Sequence, residues 1–120
     1  MVKILEHTFR HAFEGPYVMF DISVKMYFPE EEIGTRWSLE TIIMEKDRLK
    51  RDDVFSNPNW SRTFSANHEI VSLDIHVPIM KRDLNTEPGS EEVYAKLKVV
   101  PVEGSFPSAE VTTEIVKVDI

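Results

Sequence analysis

The sequence predicts an all-β domain built as an antiparallel sandwich of two sheets, with about seven strands. Three observations predict this fold class. Apolar residues recur at every second position in several separate segments, which is the period of a strand buried on one face. Glycine and proline residues bound the clearest of these segments, and no long segment has the spacing of an amphipathic helix.

The strongest alternation lies in residues 17–28. One parity of this segment is apolar throughout, and its six members are Val18, Phe20, Ile22, Val24, Met26 and Phe28. A helix would distribute these side chains around its circumference, whereas a strand places them all on one face. Gly15 and Pro16 precede the segment and Pro29 follows it, which predicts a turn at each end.

Similar patterns predict strands at 35–45, 69–79, 93–99 and 111–120. The predicted inward residues are Trp37, Leu39, Thr41 and Ile43 in the first, Val71, Leu73, Ile75, Val77 and Ile79 in the second, and Val93, Ala95, Leu97 and Val99 in the third. The parity of 111–120 slips between Val111 and Val116, which predicts a bulge. Segments 2–13 and 60–66 predict two further strands.

Two segments allow a second interpretation. Ser90 and the two glutamates after it resemble a capped helix start, but the later alternation and the stop at Pro101 favour a strand over 90–100. Residues 46–54 could form one helical turn within a loop.

Edge strands are predicted from prolines and lysines. Pro78 lacks a backbone donor, which predicts an edge strand or the end of a paired region. Lys96, Lys98 and Pro101 predict that the strand near them also has a guarded edge.

Composition limits the class of protein. A chain of 120 residues is typical of a single domain, here 1–120. The absence of cysteine excludes disulfides and thiolate metal sites and favours a reducing compartment. The net charge of −7 disfavours nucleic acid and anionic membranes as partners. Because neither a signal peptide nor a membrane-spanning apolar run is visible, we expect a cytoplasmic protein.

The sequence has no recognisable catalytic, phosphate-binding or dinucleotide-binding motif, so no cofactor is expected. His7 and His11 fall on one face of a predicted strand, about 13 Å apart, which is too far for both to bind one zinc ion without a third element. We therefore expect both to lie on a partly covered face. His76 has outward parity and is expected to be solvated.

Two acidic loops provide a candidate metal site. The carboxylates of Asp47, Asp52, Asp53 and Asp83 lie in loops that an alternating chain path brings to the same end of a sandwich. C2-like domains bind calcium with acidic loops at one end, and the predicted architecture resembles either these or immunoglobulin-like sandwiches. Basic residues interleave with these carboxylates, and neither loop has the calcium pattern D-x-D-x-D-G.

Apolar residues on outward parity provide a candidate contact surface. These are Tyr17, Met19 and Tyr27 on one strand and Ile42 and Met44 on the next. If the two strands pair, the residues share one outer surface of a kind enriched in protein interfaces. Alternatively, residues 54–60 fold back and cover this surface.

The function expected from these features is a non-enzymatic protein-interaction or structural module that contacts another protein or a second copy of itself. One alternative is a calcium-dependent C2-like binding domain. The other is a small-ligand-binding or enzymatic domain whose site has no recognisable motif, and such a domain would require a pocket with converging polar groups.

Overall fold

The computed structural model describes residues 1–46, 53–54, 60–84 and 90–119, and for 53–54 it describes the backbone alone. Nine strands lie within these ranges, and all their pairings are antiparallel. The strands are β1 (Lys3–Glu14), β2 (Tyr17–Tyr27), β3 (Arg36–Glu45), β4 (Asp53–Val54), β5 (Trp60–Ser65), β6 (Ile70–Met80), β7 (Glu91–Pro101), β8 (Ala109–Thr112) and β9 (Val116–Val118).

The strands form two sheets, which confirms the predicted antiparallel sandwich. Sheet A has the order β1-β2-β6. Sheet B is centred on β3 and β7, with β4 and β5 paired to the free side of β3 and β8 and β9 paired to the free side of β7. The count exceeds the expected seven because the segment 111–120 is divided between two strands and because β4 was not predicted.

The inner faces of the two sheets form the core. Along β2, buried residues alternate with more exposed ones, as the period of two requires. The members of the predicted inward set that are fully or almost fully buried are Val18, Phe20, Ile22, Val24, Met26, Phe28, Trp37, Leu39, Thr41, Ile43, Ile75, Val77, Ile79, Val93, Ala95, Leu97 and Val99. The Phe28 and Trp37 rings, with centroids 5.2 Å apart, contact each other within this core.

Short connections join the first three strands. Glu14 pairs with Tyr17 across the turn Gly15-Pro16, and Gly15 has a φ of 56°, which glycine adopts without a steric penalty. After β2 the chain forms a 3-10 turn, Glu30–Glu32, and then crosses from sheet A to sheet B. β2 and β3, although consecutive along the chain, therefore do not pair.

The predicted bulge occurs at the outer edge of β7. Val93 pairs with Val116 and Lys96 pairs with Thr112, so the edge segment has one residue more than β7 over this interval. The Thr113 N–H donates to the Ala95 carbonyl, and the Thr113 Oγ1 accepts from the Ala95 N–H, both at 2.8 Å. The Thr113 hydroxyl therefore replaces a backbone carbonyl as the acceptor for the Ala95 N–H. Both backbone groups of Ala95 keep a hydrogen-bond partner at the bulge.

The structure also decides the two ambiguous segments and the two edges. Residues 91–101 form β7, so the strand interpretation is confirmed and the helix alternative is wrong. Residues 47–52 lie outside the described part, and residues 53–54 form a strand. β6, which contains Pro78, is an edge strand of sheet A as predicted. The edge predicted from Lys96 and Lys98 is wrong because β7 lies between two neighbours.

One short helix, α1 (Lys81–Leu84), follows β6 and was not predicted. Leu84 is fully buried and belongs to the core cluster, so this turn anchors the end of β6. Within the described ranges, no helix has the length and apolar character needed to cross a bilayer.

Candidate functional site

The five residues predicted as an interface do not share one surface. Tyr17, Met19 and Tyr27 alternate with the buried residues of β2 and lie on the outer face of sheet A. Ile42 and Met44 lie on β3, in sheet B, with outward parity. The expectation of one surface made by both strands is wrong because the connection after β2 crosses to the opposite sheet.

Burial separates these residues further. Met44 is 6% exposed although its parity is outward, and Tyr94, which is paired with it on β7, is 8% exposed. Ile42 is half-buried. Met44 is therefore not an exposed contact residue, contrary to the expectation, and the outer face of sheet B is not an open apolar surface at this point.

Tyr17 and Met19 are part of an apolar surface that crosses all three strands of sheet A. Met80 of β6 is directly opposite Tyr17, and Met19 is directly between Ala12 of β1 and Pro78 of β6. Directly opposed residues on one face of a sheet have neighbouring side chains. We call this set of five residues, Ala12, Tyr17, Met19, Pro78 and Met80, the hairpin patch, since it lies beside the β1–β2 turn.

The hairpin patch is accessible to solvent. Tyr17 is 40% exposed, Ala12 is exposed, and Met19, Pro78 and Met80 are half-buried. The tyrosine ring, the two methionine side chains and the proline ring lie in two adjacent cross-strand rows. They form an apolar surface on regular strands. Such a surface can be buried against another protein with little loss of backbone entropy, because the strands are already ordered.

The opposite side of the same hairpin also exposes an aromatic ring. Phe13 has inward parity, yet it is 48% exposed, so the core does not fully cover the end of β1. The Lys81 Nζ lies 5.1 Å from the centroid of the Phe13 ring, within the range of a cation–π contact. The β1–β2 turn therefore has an exposed aromatic residue on each side of the sheet.

A polar zone separates the hairpin patch from Tyr27 at the other end of the outer face. The Ser23 hydroxyl donates to the Asp74 carboxylate at 2.6 Å, and the His76 Nδ1 lies 2.5 Å from the Asp21 carboxylate. Tyr27 itself lies opposite Ile70, which is 43% exposed. Tyr27 is thus ten positions along β2 from Tyr17 and does not extend the hairpin patch.

The serine, histidine and aspartates of this polar zone do not form a catalytic triad. The Ser23 proton is directed to Asp74, while the His76 Nδ1 contacts Asp21, so the serine-to-histidine hydrogen bond of a hydrolase is not formed by this pair. Both contacts are solvent-exposed, as expected for cross-strand polar pairs on a sheet surface.

The other histidines lie where the strand pattern predicts. His7 and His11 are half-buried on the inner parity of β1, and the His11 ring contacts Phe13 and Phe20 at centroid distances of 5.8 and 6.4 Å. Both residues are thus parts of a partly covered face, as expected. His76 is exposed, also as expected.

The predicted calcium ligands are only partly within the described residues. Asp47 and Asp52 lie outside them, and for Asp53 the backbone alone is described, paired with Glu45. Asp83 is exposed, with its carboxylate 3.9 Å from the Arg82 Nε. Across the described ranges, no group of three or more potential ligands is close enough to hold a metal ion.

The described strand ends show where the two acidic loops join the sandwich. The Lys46 N–H donates to the Glu92 carbonyl at 2.8 Å, so the end of β3 and the start of β7 lie side by side. The first acidic loop leaves β3 at this point and the second enters β7 there. One end of each loop is therefore at the same pole of the sandwich.

Sequence reasoning missed three members of the hairpin patch, Ala12, Pro78 and Met80, and it also missed the exposed Phe13 on the opposite side of the hairpin. Pro78 and Met80 have outward parity on β6, and this signal could have joined them to Tyr17 and Met19 if the pairing of β2 with β6 had been known. No signal in the sequence indicates that Phe13, with inward parity, would be exposed.

Comparison with known proteins adds no family to this description. No protein-family model matches the chain, and the search of curated proteins found no match.

Proposed function

We propose that this domain is a non-enzymatic protein-interaction module that contacts its partner through the hairpin patch. The observation that carries the proposal is the continuity of Tyr17, Met19, Met80 and Pro78 across β2 and β6 on an outer sheet face. These four residues are at least partly exposed and stand next to a polar zone on the same sheet.

The residue types support a protein partner. Tyrosine and methionine are enriched in the buried centres of interfaces. Truncation of a buried tyrosine at such a centre typically costs about 2 kcal/mol or more of binding free energy. The polar zone would provide the rim, since Asp21, Ser23, Asp74 and His76 begin one row away from Met19. A centre of apolar residues beside a polar rim is the usual arrangement of such contacts.

The charge of the chain favours a different protein over a second copy. Each chain has a net charge of −7, so two copies repel each other at every distance shorter than the screening length. We therefore expect a partner with an apolar contact surface and a neutral or basic rim. The negative field of this domain, which repels a second copy, increases the rate of association with such a partner.

The experiment compares three proteins in quantitative affinity capture from cells of the source organism, with light scattering on each purified chain. The first is the wild type, and the second is the double variant Tyr17→Lys and Met19→Lys. Two lysines in the patch would have to be desolvated against an apolar partner, so we expect the captured partner to be lost, with affinity reduced by about 30-fold or more.

The control is the double variant Thr8→Lys and Ser72→Lys, which adds the same charge at exposed positions of the same face but outside the patch. We expect it to retain the partner, and circular dichroism melting should show all three proteins folded. Equal capture by both double variants would refute the proposal. A wild-type dimer that the patch variant alone converts to monomer would identify the partner as a second copy.

A further inference from the structure

The bulge at the edge of sheet B creates a cavity on the face opposite to the hairpin patch. The cavity is shallow and open, with a volume of about 250 Å³. Its lining residues are Lys46, Tyr94, Lys96, Thr112, Thr113 and Ile115. Bulges often redirect side chains near functional sites, so a cavity at this position is a natural place to look for a ligand.

The register explains why these groups converge. Lys96 and Thr112 are directly opposite each other on β7 and β8, and Tyr94 is two residues before Lys96 on the same face of β7. The Lys46 backbone bonds to Glu92, which places Lys46 at the end of the same face. The bulge then brings Thr113 and Ile115 to the edge of the cavity.

The charge of the described lining is opposite to that of the whole chain. The chain has 21 acidic and 14 basic residues, yet the described lining residues include two lysines and no carboxylate. In the described part of the chain, neither the Lys46 nor the Lys96 ammonium forms an ion pair within 4.0 Å of a carboxylate. Two cations that face one cavity and have no carboxylate partner among the described residues provide a local positive field in an acidic domain.

We propose that this cavity binds a small organic anion, with a carboxylate or phosphate headgroup held between Lys46 and Lys96. The Thr112 hydroxyl, opposite Lys96, donates a further hydrogen bond to the headgroup. Thr113 does not supply a donor, because its hydroxyl already bonds to Ala95 and to the Glu114 carbonyl.

The apolar part of the ligand packs mainly against Ile115, because Tyr94, the other residue of the lining with a large apolar surface, is only 8% exposed. Ile115 is 49% exposed, and a small apolar group placed on it would remove that surface from water. An inorganic ion would use the lysines alone. A ligand with a short apolar or aromatic group would use both sides of the cavity and is therefore the class that fits it best.

In the experiment, the full chain is titrated with benzoate and, separately, with phenyl phosphate. Two-dimensional NMR monitors the amide resonances during each titration. These probes share a ring and differ in the headgroup. We expect saturable shifts at the amides of residues 94–96 and 112–115. If only benzoate gives saturable shifts, the site binds carboxylates. If only phenyl phosphate gives them, the site binds phosphates. Either result supports the proposal.

Three lysine variants test the geometry. Lys46→Gln and Lys96→Gln should each weaken binding about tenfold, which corresponds to about 1.4 kcal/mol for a lost charge-assisted hydrogen bond. Lys98→Gln removes the same charge from the same face of β7 outside the lining and should bind as the wild type does. The absence of saturable shifts with both probes overturns the proposal. An equal loss in Lys98→Gln also overturns it, since it would show attraction to the surface charge in general.

Discussion

Replacement of Trp37 by alanine should lower the free energy of unfolding by about 3–5 kcal/mol, the usual cost of truncating a large buried aromatic side chain. Trp37 is fully buried, and its ring contacts Phe28 and Phe106, with centroids 5.2 and 6.1 Å away. Its indole N–H donates to the Thr35 Oγ1 at 2.7 Å. The variant loses these contacts, leaves a cavity between the sheets and removes the donor to Thr35.

The effect is large compared with the whole stability of a domain, which is typically about 5–15 kcal/mol. Urea unfolding followed by circular dichroism measures it. Trp60→Ala is the matched control, because Trp60 is 41% exposed and loses far less buried surface on truncation. Equal destabilisation by the two variants would show that Trp37 is not the central side chain of the core.

Phe20→Ala should have a similar effect, also about 3–5 kcal/mol. Phe20 is fully buried on β2, and its ring is stacked on that of Phe9 of β1 with centroids 5.3 Å apart. A double-mutant cycle with Phe9→Ala should give a coupling energy of about 0.5–1.5 kcal/mol beyond the area term, because the two rings contact each other directly.

Phe13 provides the control for this second prediction. It is also a phenylalanine of the β1–β2 hairpin, but it is 48% exposed, so Phe13→Ala should destabilise the domain much less than Phe20→Ala. The reverse order in chemical denaturation would mean that the buried face of the hairpin has been assigned wrongly.

The side-chain period allowed the sequence to predict which face of each strand is buried. In β2 and β3 every residue predicted to point inward is buried, because alternation on a strand is a local property that neighbours along the chain determine. The slip near Val111 likewise indicated a bulge, since an extra residue necessarily inverts the parity.

The order of the strands could not be read in the same way. Consecutive strands pair in most folds, and this tendency suggested that β2 and β3 are neighbours. Whether the connection turns back or crosses to the other sheet depends on contacts between distant residues, such as the hydrogen bond from the Phe28 N–H to the Glu69 carbonyl at 2.8 Å. Because the period contains no such information, residues of β2 and β3 were wrongly combined into one candidate surface.

The lysines of β7 show a related limit. Lys96 and Lys98 point outward on a strand that has neighbours on both sides. The outer face of an antiparallel sheet is open to water, so outward lysines occur on central strands as well as on edges. The sequence thus predicts the face on which such a residue lies but not its distance from the edge of the sheet.

Pairs of introduced cysteines test the division of strands most directly, because the natural chain has no cysteine to interfere. Thr8→Cys with Ser23→Cys joins opposed residues of β1 and β2, and Ser38→Cys with Thr63→Cys joins opposed residues of β3 and β5. Opposed residues of antiparallel strands lie at Cα distances that a disulfide can span, so both pairs should form intramolecular disulfides under mild oxidation.

The decisive pair is Lys25→Cys with Ser38→Cys. If β2 and β3 were joined as a hairpin these two outward residues would be neighbours, but here they lie on the opposite outer surfaces of two sheets. We expect this pair to stay reduced within the folded monomer while the other two pairs oxidise. Efficient intramolecular oxidation of Lys25→Cys/Ser38→Cys, measured by mass spectrometry, would contradict the sandwich and the surfaces assigned to it.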